Sequence, residues 1–161
     1  MAGGSAHIAS FSGSDTIEGI LATIEDFDPI EMPAFSVPAA EHSTVTIYGR
    51  DGERDAMRNM IAQFQDKFNI ISFVADSYNL WENIEVVCKE LKDDIIEAGI
   101  KYVIRPDSGD PVNTLRRLFI TLRGYNVLVL NGKGYYELPD WLGVLQGDGI
   151  EYLTITAILK M

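Results

Sequence analysis

The chain has 161 residues, 24 of them acidic and 13 basic, which gives a formal net charge of −11 at pH 7. This excess of acid argues against nucleic acid and anionic membranes as partners, because phosphate groups are bound by clustered Lys and Arg. No apolar stretch reaches the roughly 20 residues that span a bilayer, no secretory signal pattern opens the chain, and the single Cys88 cannot form an internal disulfide, so we expect a cytoplasmic protein.

Strand-like and helical patterns alternate along the chain. Four apolar runs are predicted as strands, within Ala6–Phe11, Asn69–Tyr78, Tyr102–Ile104 and Trp141–Gly149. Helical periodicity is found over Thr16–Phe27, Asp51–Phe68, Asn79–Ala98 and Val112–Arg123, and again from Leu153. Two shorter β-prone runs are Val45–Tyr48 and Asn126–Leu130. Strands that alternate with helices predict right-handed βαβ units and a parallel α/β sheet.

Each of the four predicted strands ends in an aspartate beside Gly or Ser: Asp15, Asp76, Asp107 and Asp148. Because ligands bind at the carboxyl ends of parallel strands, we expect these four carboxylates to gather on one rim. Clustered carboxylates repel one another unless a cation or a ligand lies among them. Asp15 and Glu18 also have the spacing of a capping box, so a helix-capping role for Asp15 stays open.

The segment Lys101–Pro111 is the most informative of these strand ends. A short apolar strand is followed by Arg105, Asp107 and Ser108, and Asp110-Pro111 has the pattern of a helix N-cap and first helical residue. Arg can hold phosphate in bidentate fashion, and a carboxylate can accept from sugar hydroxyls or hold Mg²⁺. This combination predicts a site for a phosphorylated, polyhydroxylated ligand. The alternative is a capped loop with a surface ion pair.

Five motifs together resemble the nicotinamide phosphoribosyltransferase family, in its order and at about its spacing. They are Gly13-Ser14-Asp15-Thr16, Ala39-Ala40-Glu41-His42-Ser43-Thr44, Asp76-Ser77-Tyr78, Arg105-Pro106-Asp107-Ser108-Gly109 and Gln146-Gly147-Asp148-Gly149. The resemblance covers roughly Ser5 to Glu151. It implies transfer of the phosphoribosyl group of 5-phosphoribosyl-1-diphosphate to nicotinamide, which gives nicotinamide mononucleotide and diphosphate in NAD salvage.

The resemblance also implies roles for individual residues. Asp15 matches the carboxylate that binds the carboxamide of nicotinamide, and Ser72 lies where the family often has a serine near the base. His42 matches a histidine that contacts diphosphate and can be phosphorylated by ATP, an optional coupling substrate. Arg105 and Asp107 match residues that grip diphosphate and ribose.

The resemblance further implies that the ribose and Mg²⁺ region is lined by Asp76, Gly147 and Asp148. Asp76 and Asp107 would contact the metal as part of Mg-diphosphate. His42, Asp76 and Asp107 are the expected catalytic residues. We further expect Glu41 to orient or tune the imidazole of His42. Without the surrounding signature, His42 would be read as a turn residue stabilised by Glu41.

The fold implied is a parallel (β/α) barrel of the type II phosphoribosyltransferase kind. A full barrel needs about 250 residues, so we expect residues 1–161 to form a partial barrel domain. The family's upstream stacking aromatic and downstream Gly-rich phosphate loop have no counterpart in this sequence. We therefore expect a homodimer or a complementing segment to complete the active site.

Two other functions stay open. One is an inactive ligand-binding or regulatory fragment of the same family, which would keep the carboxylate rim without turnover. The other is a Mg²⁺-dependent phosphohydrolase with an α/β fold. The phosphohydrolase shares the Asp-rich strand ends but leaves Ala39–Thr44 and the order of the motifs unexplained.

Overall fold

A computed structural model describes residues 2–14 and 16–161. The chain divides into two compact units, residues 1–37 and residues 38–161. Each unit has its own internal packing. None of the helices in the described part of the chain is long and apolar enough to cross a membrane.

The first unit contains two packed helices, α1 (Ala2–Ile8) and α2 (Ile17–Phe27). The strand predicted over Ala6–Phe11 is therefore wrong. Ser5 and Ile8 are buried at helical i, i+3 spacing, and a Cβ added to Gly4 would lie 2.8 Å from the Cα of Gly19. Because glycines let the two helix backbones approach this closely, the segment buries itself as a helix.

Helix α2 confirms the helix predicted over Thr16–Phe27. The residues that it buries, however, are not the large apolar residues that repeat at helical spacing. Its buried residues are Gly19, Ala22 and Thr23. Ile17 and Leu21, two of the apolar residues that repeat at helical spacing, are exposed. The side of α2 that packs is thus its small-residue side.

The second unit is built on a parallel three-stranded sheet. The strands of this unit are β1 (Ile70–Val74), β2 (Lys101–Arg105), β3 (Val129–Leu130), β4 (Tyr136–Glu137) and β5 (Leu142–Val144). The sheet has the order β1-β2-β5, and both pairings are parallel. This confirms the mixed α/β class and the parallel pairing of the three predicted strands. The run at 126–130 forms only a short antiparallel pair, β3 with β4.

Helices cover the sheet and provide most of the core. They are α3 (His42–Thr46), α4 (Glu53–Phe64), α5 (Leu80–Val86), α6 (Lys92–Glu97), α7 (Pro111–Gly124) and α8 (Tyr152–Ile158). A π-helical turn, Val87–Leu91, joins α5 to α6. The largest fully buried side chains include Met57, Ile71, Phe73, Ile84, Leu91, Tyr102, Ile104, Leu118, Leu122 and Leu142. A core of this size holds the strand ends in fixed positions.

Helix α3 overturns the β-prone prediction for Val45–Tyr48. The Glu41 backbone N–H donates to the Thr44 Oγ1 at 3.0 Å, which is half of a capping box. Val45 is buried in the core of the unit. The local cap and this one buried side chain outweigh the β propensity of the run, which is a weak preference.

Helix α7 begins as the sequence predicts, with Pro111 at its first position and Asp110 as its N-cap. Asp110 Oδ1 accepts from the Asn113 N–H at 2.9 Å. Replacing Asp110 by Ala should lower the free energy of unfolding by about 1 kcal/mol, because one helix donor loses its partner. Asp110→Asn keeps the acceptor and should stay within a few tenths of a kcal/mol of the parent. Urea titration checks this, and equal stability of the two variants would contradict it.

Cys88 lies in the π-helical turn as a partly buried free thiol. Burial raises the pKa of this thiol to about 11. In the unfolded chain the thiol ionises at a lower pH, so the folded state retains the proton longer. The contribution of Cys88 to stability is therefore fully present below the unfolded pKa and is lost as the pH rises through about 11.

The same shift predicts slow alkylation of Cys88. At pH 9 the folded chain should react with iodoacetamide on the order of 50-fold more slowly than the urea-unfolded chain, because the thiolate is the nucleophile. Mass spectrometry of timed samples measures both rates. Equal rates in the folded and unfolded chain would contradict the prediction.

Candidate active site

The carboxyl ends of β1, β2 and β5 lie along one edge of the parallel sheet. The turns that follow these strands approach one another through backbone hydrogen bonds. The Ala75 N–H donates to the Arg105 carbonyl at 3.0 Å, and the Gly147 N–H donates to the Pro106 carbonyl at 2.9 Å. The three predicted strand-end motifs of the second unit are thus brought together.

Asp76 organises the turn that follows β2. Its Oδ2 accepts from the Asp107 backbone N–H at 3.0 Å and from the Ser108 hydroxyl. Its side chain is only 7% exposed. The other oxygen, Oδ1, is buried without a hydrogen-bond partner among the residues described. A buried carboxylate oxygen in that state is free to receive a proton donor or a cation.

His42, at the start of α3, faces both neighbouring carboxylates. Its Nε2 lies 3.5 Å from Asp107 Oδ2 and 3.8 Å from Asp76 Oδ1. Its Nδ1 lies 2.9 Å from the Ser77 Oγ. The structure therefore places His42, Asp76 and Asp107 in one cluster, although they lie far apart along the chain.

The segment that precedes His42 is attached to the outer edge of β1. The Ser72 backbone N–H donates to the Pro38 carbonyl at 2.8 Å, and the Ala40 N–H donates to the Ser72 carbonyl at 2.9 Å. These bonds fix where α3 begins. The Ser72 side chain is buried, and its hydroxyl has no hydrogen-bond partner in the described part of the chain. In this structure Ser72 therefore positions the His42 segment through its backbone.

Arg105 lies on the same sheet face as Ser72 and Val103, as the strand register shows. Its Nη2 donates to the Ala40 carbonyl and to Glu41 Oε1, both at 3.1 Å. Its side chain is only 12% exposed. The prediction that Glu41 orients the imidazole is wrong, because its carboxylate pairs with Arg105 and Ser77 contacts the imidazole. That Glu41 tunes the imidazole stays a prediction.

Gly147 packs directly against the carboxylate of Asp107. A Cβ at position 147 would lie 2.2 Å from Asp107 Oδ1, far inside contact distance. Asp148 follows in the same turn and is exposed; its carbonyl accepts from Gln146 Nε2 at 3.0 Å. Asp148 thus lies one residue beyond this contact and outside the His42 cluster. Asp15, the fourth predicted carboxylate, lies outside the described residues.

The sequence motifs did not predict two contacts at the site, the one between Ser77 and His42 and the one between Glu41 and Arg105. They join residues 35 and 64 positions apart. Hydrophobic periodicity and motif spacing cannot predict which side chains meet when they lie so far apart along the chain. Only the adjacency of Ser77 to Asp76 in the Asp-Ser-Tyr motif could have suggested that its hydroxyl has a role.

The donor set around His42 suits Mg²⁺ that arrives with a phosphorylated ligand. Within residues 2–14 and 16–161, no group of three or more His, Cys, Asp or Glu side chains is arranged to hold a metal by itself. Mg²⁺ is commonly bound by one or two carboxylates together with substrate phosphates and water. Asp76 Oδ1 and Asp107 Oδ2, which both face His42 Nε2, are the carboxylate oxygens that could meet that requirement.

A separate groove of about 550 Å³ lies between α4 and α5, lined by residues that include Arg50, Glu53, Arg54, Glu82 and Asn83. Its arginines are paired with glutamates across the groove. Burial raises the pKa of Glu53. The lining of the groove includes neither His42 nor the strand-end aspartates, so the groove is distinct from the cluster of His42, Asp76 and Asp107.

Comparison with known proteins places these residues in a family. The sequence model of the nicotinate phosphoribosyltransferase (NAPRTase) family matches residues 2–161. The chain is 41% identical over 159 residues to a nicotinamide phosphoribosyltransferase from Xanthomonas campestris pv. campestris, covering 98% of this chain and 34% of the relative. It is 33% identical over 168 residues to a nicotinamide phosphoribosyltransferase from Mycoplasma pneumoniae, covering 96% and 34%. The chain therefore spans about a third of the length of these curated relatives.

Proposed function

The chain belongs to the nicotinate phosphoribosyltransferase family, and on that premise we propose that it supplies part of an active site for nicotinamide phosphoribosyl transfer. The reaction would convert nicotinamide and 5-phosphoribosyl-1-diphosphate to nicotinamide mononucleotide and diphosphate, as in NAD salvage. One observation carries the proposal: His42 Nε2 lies within 3.8 Å of Asp76 Oδ1 and Asp107 Oδ2 at the carboxyl edge of the sheet.

The clustered residue types suit this chemistry. Displacement at the anomeric carbon builds positive charge on the ribose while a diphosphate departs. The carboxylates of Asp76 and Asp107 stabilise the developing positive charge, and the Arg105 guanidinium and an N–H of the His42 ring stabilise the departing anion. The chain's net charge of −11 is compatible with binding of a polyanion if Arg105, His42 and Mg²⁺ serve its phosphates locally.

Mg²⁺ and ATP enter the proposal as the family resemblance implies. Asp76 and Asp107 would hold Mg²⁺ together with the diphosphate oxygens, and the ion would neutralise charge on the leaving group. His42 would be the phosphoryl acceptor when ATP is used. Gly147 and Asp148 would border the ribose, and Ser72 would lie near the base.

The proposal extends to the assembly. Three parallel strands with flanking helices in residues 38–161 are consistent with a segment of a (β/α) barrel, and we propose that residues 1–161 form a partial barrel domain. Further strands would come from other parts of the protein, with homodimerisation at the active site. A cytoplasmic location is part of the same proposal.

The direct test exchanges this chain into a complete relative. In the exchange chimera, residues 2–161 replace the homologous third of the Xanthomonas campestris protein. The proposal predicts that the purified, folded exchange chimera forms nicotinamide mononucleotide from nicotinamide, phosphoribosyl diphosphate and Mg²⁺. A folded chimera that binds phosphoribosyl diphosphate but forms no product would favour the inactive ligand-binding alternative.

Asp15 tests the choice of base. Its carboxylate would accept from the amide of nicotinamide and repel the carboxylate of nicotinic acid, a like-charge contact that costs several kcal/mol. Asp15→Ala in the exchange chimera should lower the kcat/KM ratio of nicotinamide over nicotinic acid on the order of 10- to 100-fold. Glu18→Ala is the matched control for loss of a nearby acid. An unchanged ratio in Asp15→Ala would contradict the assignment.

A further inference from the structure

The two nitrogens of the His42 ring face different kinds of partner. Nε2 faces carboxylate oxygens of Asp107 and Asp76, at 3.5 and 3.8 Å. Nδ1 faces the Ser77 hydroxyl at 2.9 Å. An ionised carboxylate can only accept hydrogen bonds, whereas a hydroxyl can donate or accept. In the neutral ring, the proton is therefore favoured on Nε2, and the Ser77 O–H donates to Nδ1.

We propose that Ser77 is a positioning residue that holds the His42 ring with Nε2 turned toward Asp76 and Asp107, where the two carboxylates favour the Nε2–H tautomer. The catalytic consequence of this role rests on the proposed function, in which Nε2 faces the departing diphosphate. The tautomer itself does not depend on that function, because the contacts are present in the chain without ligand.

The rest of the site does not fix this ring. The His42 side chain is 46% exposed, so packing leaves it free to turn. Neither carboxylate lies within ordinary hydrogen-bond distance of Nε2. The neighbouring Glu41 carboxylate is paired with Arg105 instead. The contact from Ser77 to Nδ1 is thus the one short hydrogen bond to the His42 ring among the described residues.

Ser77 itself is held in place by its neighbours. Asp76 is bonded to the Asp107 N–H and the Ser108 hydroxyl. On the other side, the Tyr78 hydroxyl donates to the Thr46 carbonyl at 3.5 Å, so this turn also meets the far end of α3. A hydroxyl on a backbone fixed at both sides can select one ring orientation, as the outer hydrogen-bond partners of active-site histidines do.

The tautomer is measured by ¹⁵N–¹H long-range correlation spectra of the 161-residue chain, at a pH at which the rings are neutral. The chain has only two histidines, so the spectrum is simple. His7 serves as an internal control, because its Nε2 lies 2.9 Å from the Gly13 carbonyl, which can only accept. The proposal predicts the Nε2–H pattern for both rings in the parent chain.

Variants then assign the effect to the hydroxyl. In Ser77→Ala the His42 ring is free to turn Nε2 away from the carboxylates, so its signals should move toward an average of the two tautomers while the His7 signals stay unchanged. Ser77→Thr keeps a hydroxyl and should restore the parent pattern. A His42 ring that carries its proton on Nδ1 in the parent, or signals that are identical in the parent and Ser77→Ala, would overturn the proposal without reference to any activity.

The exchange chimera supplies the second readout. Loss of one orienting hydrogen bond should lower kcat on the order of tenfold in Ser77→Ala, with KM for phosphoribosyl diphosphate changed less than threefold. Ser77→Thr should recover most of that kcat. An equal loss of kcat in the Ala and Thr variants would assign Ser77 a merely structural role and overturn its role in orienting His42.

Discussion

Replacing Asp76 by Ala is expected to lower kcat/KM of the exchange chimera on the order of a thousandfold, the largest effect we expect from a single substitution at the site. Three contributions add in the same direction. The carboxylate that faces His42 disappears, the developing charge on the ribose loses a stabilising group, and the Asp107 N–H and Ser108 hydroxyl lose their acceptor. The last of these releases the turn that carries Asp107.

Two further variants separate charge from scaffolding. Asp76→Asn keeps an oxygen acceptor for the Asp107 N–H and removes the charge, so it should fold like the parent and still lose most activity. Asp66 is an exposed aspartate just beyond α4, and Asp66→Ala is the matched control for loss of one negative charge. Transfer rates in Asp76→Ala within threefold of those in Asp66→Ala would contradict the proposed role.

Gly147→Ala is expected to lower activity, because the new methyl group would clash with the Asp107 carboxylate. The new Cβ would lie 2.2 Å from Asp107 Oδ1, a distance that real Cβ atoms essentially never show. Either the turn after β5 or the Asp107 carboxylate must move, and the carboxylate moves at the lower cost because it is the end of a partly exposed side chain. Since Asp107 is half of the carboxylate pair that faces His42, we expect activity to fall on the order of a hundredfold.

Gly132→Ala provides the control, because nothing lies within 4 Å of the Cβ position at Gly132. That variant should keep the parent's midpoint in urea and the parent's transfer rate in the exchange chimera. Equal transfer rates for Gly147→Ala and Gly132→Ala would show that the Asp107 carboxylate does not depend on this close approach.

Much of the second unit could be predicted from its sequence. The strands β1, β2 and β5 are short apolar runs between turn residues, and Asp110-Pro111 marks the start of α7. These signals are local, and the parallel order follows from the alternation of strand and helix. The clustering of Asp76 with Asp107 follows in turn, because both residues come directly after neighbouring strands.

The predictions fail where packing outweighs local preference. The run at Ala6–Phe11 contains apolar residues that suit a strand, but the close approach of Gly4 to Gly19 favours a helix. At α3 the bond between the Glu41 N–H and Thr44 Oγ1 favours a helical turn over an extended run. Neither outcome can be read from hydrophobic periodicity, since both depend on individual backbone contacts.

At the candidate site, too, the sequence predicts which residues matter but not which groups contact each other. Family motifs mark His42, Asp76, Arg105 and Asp107, and the structure brings all four to one region of the second unit. Which groups bond to which could not be predicted, because the relevant pairs are 31 to 65 residues apart. The pairing of Arg105 with Glu41 is an example, since sequence adjacency favoured a contact between Glu41 and His42.

The proposed function requires that the carboxyl edge of this sheet binds the sugar diphosphate. The most direct measurement is a ¹H–¹⁵N NMR titration of the chain with 5-phosphoribosyl-1-diphosphate and Mg²⁺. We predict saturable shifts of the His42 ring and of the backbone at 76–77, 105–108 and 147–148. Shifts confined to the groove between α4 and α5, or no saturable shift at millimolar ligand, would contradict this role for the sheet edge.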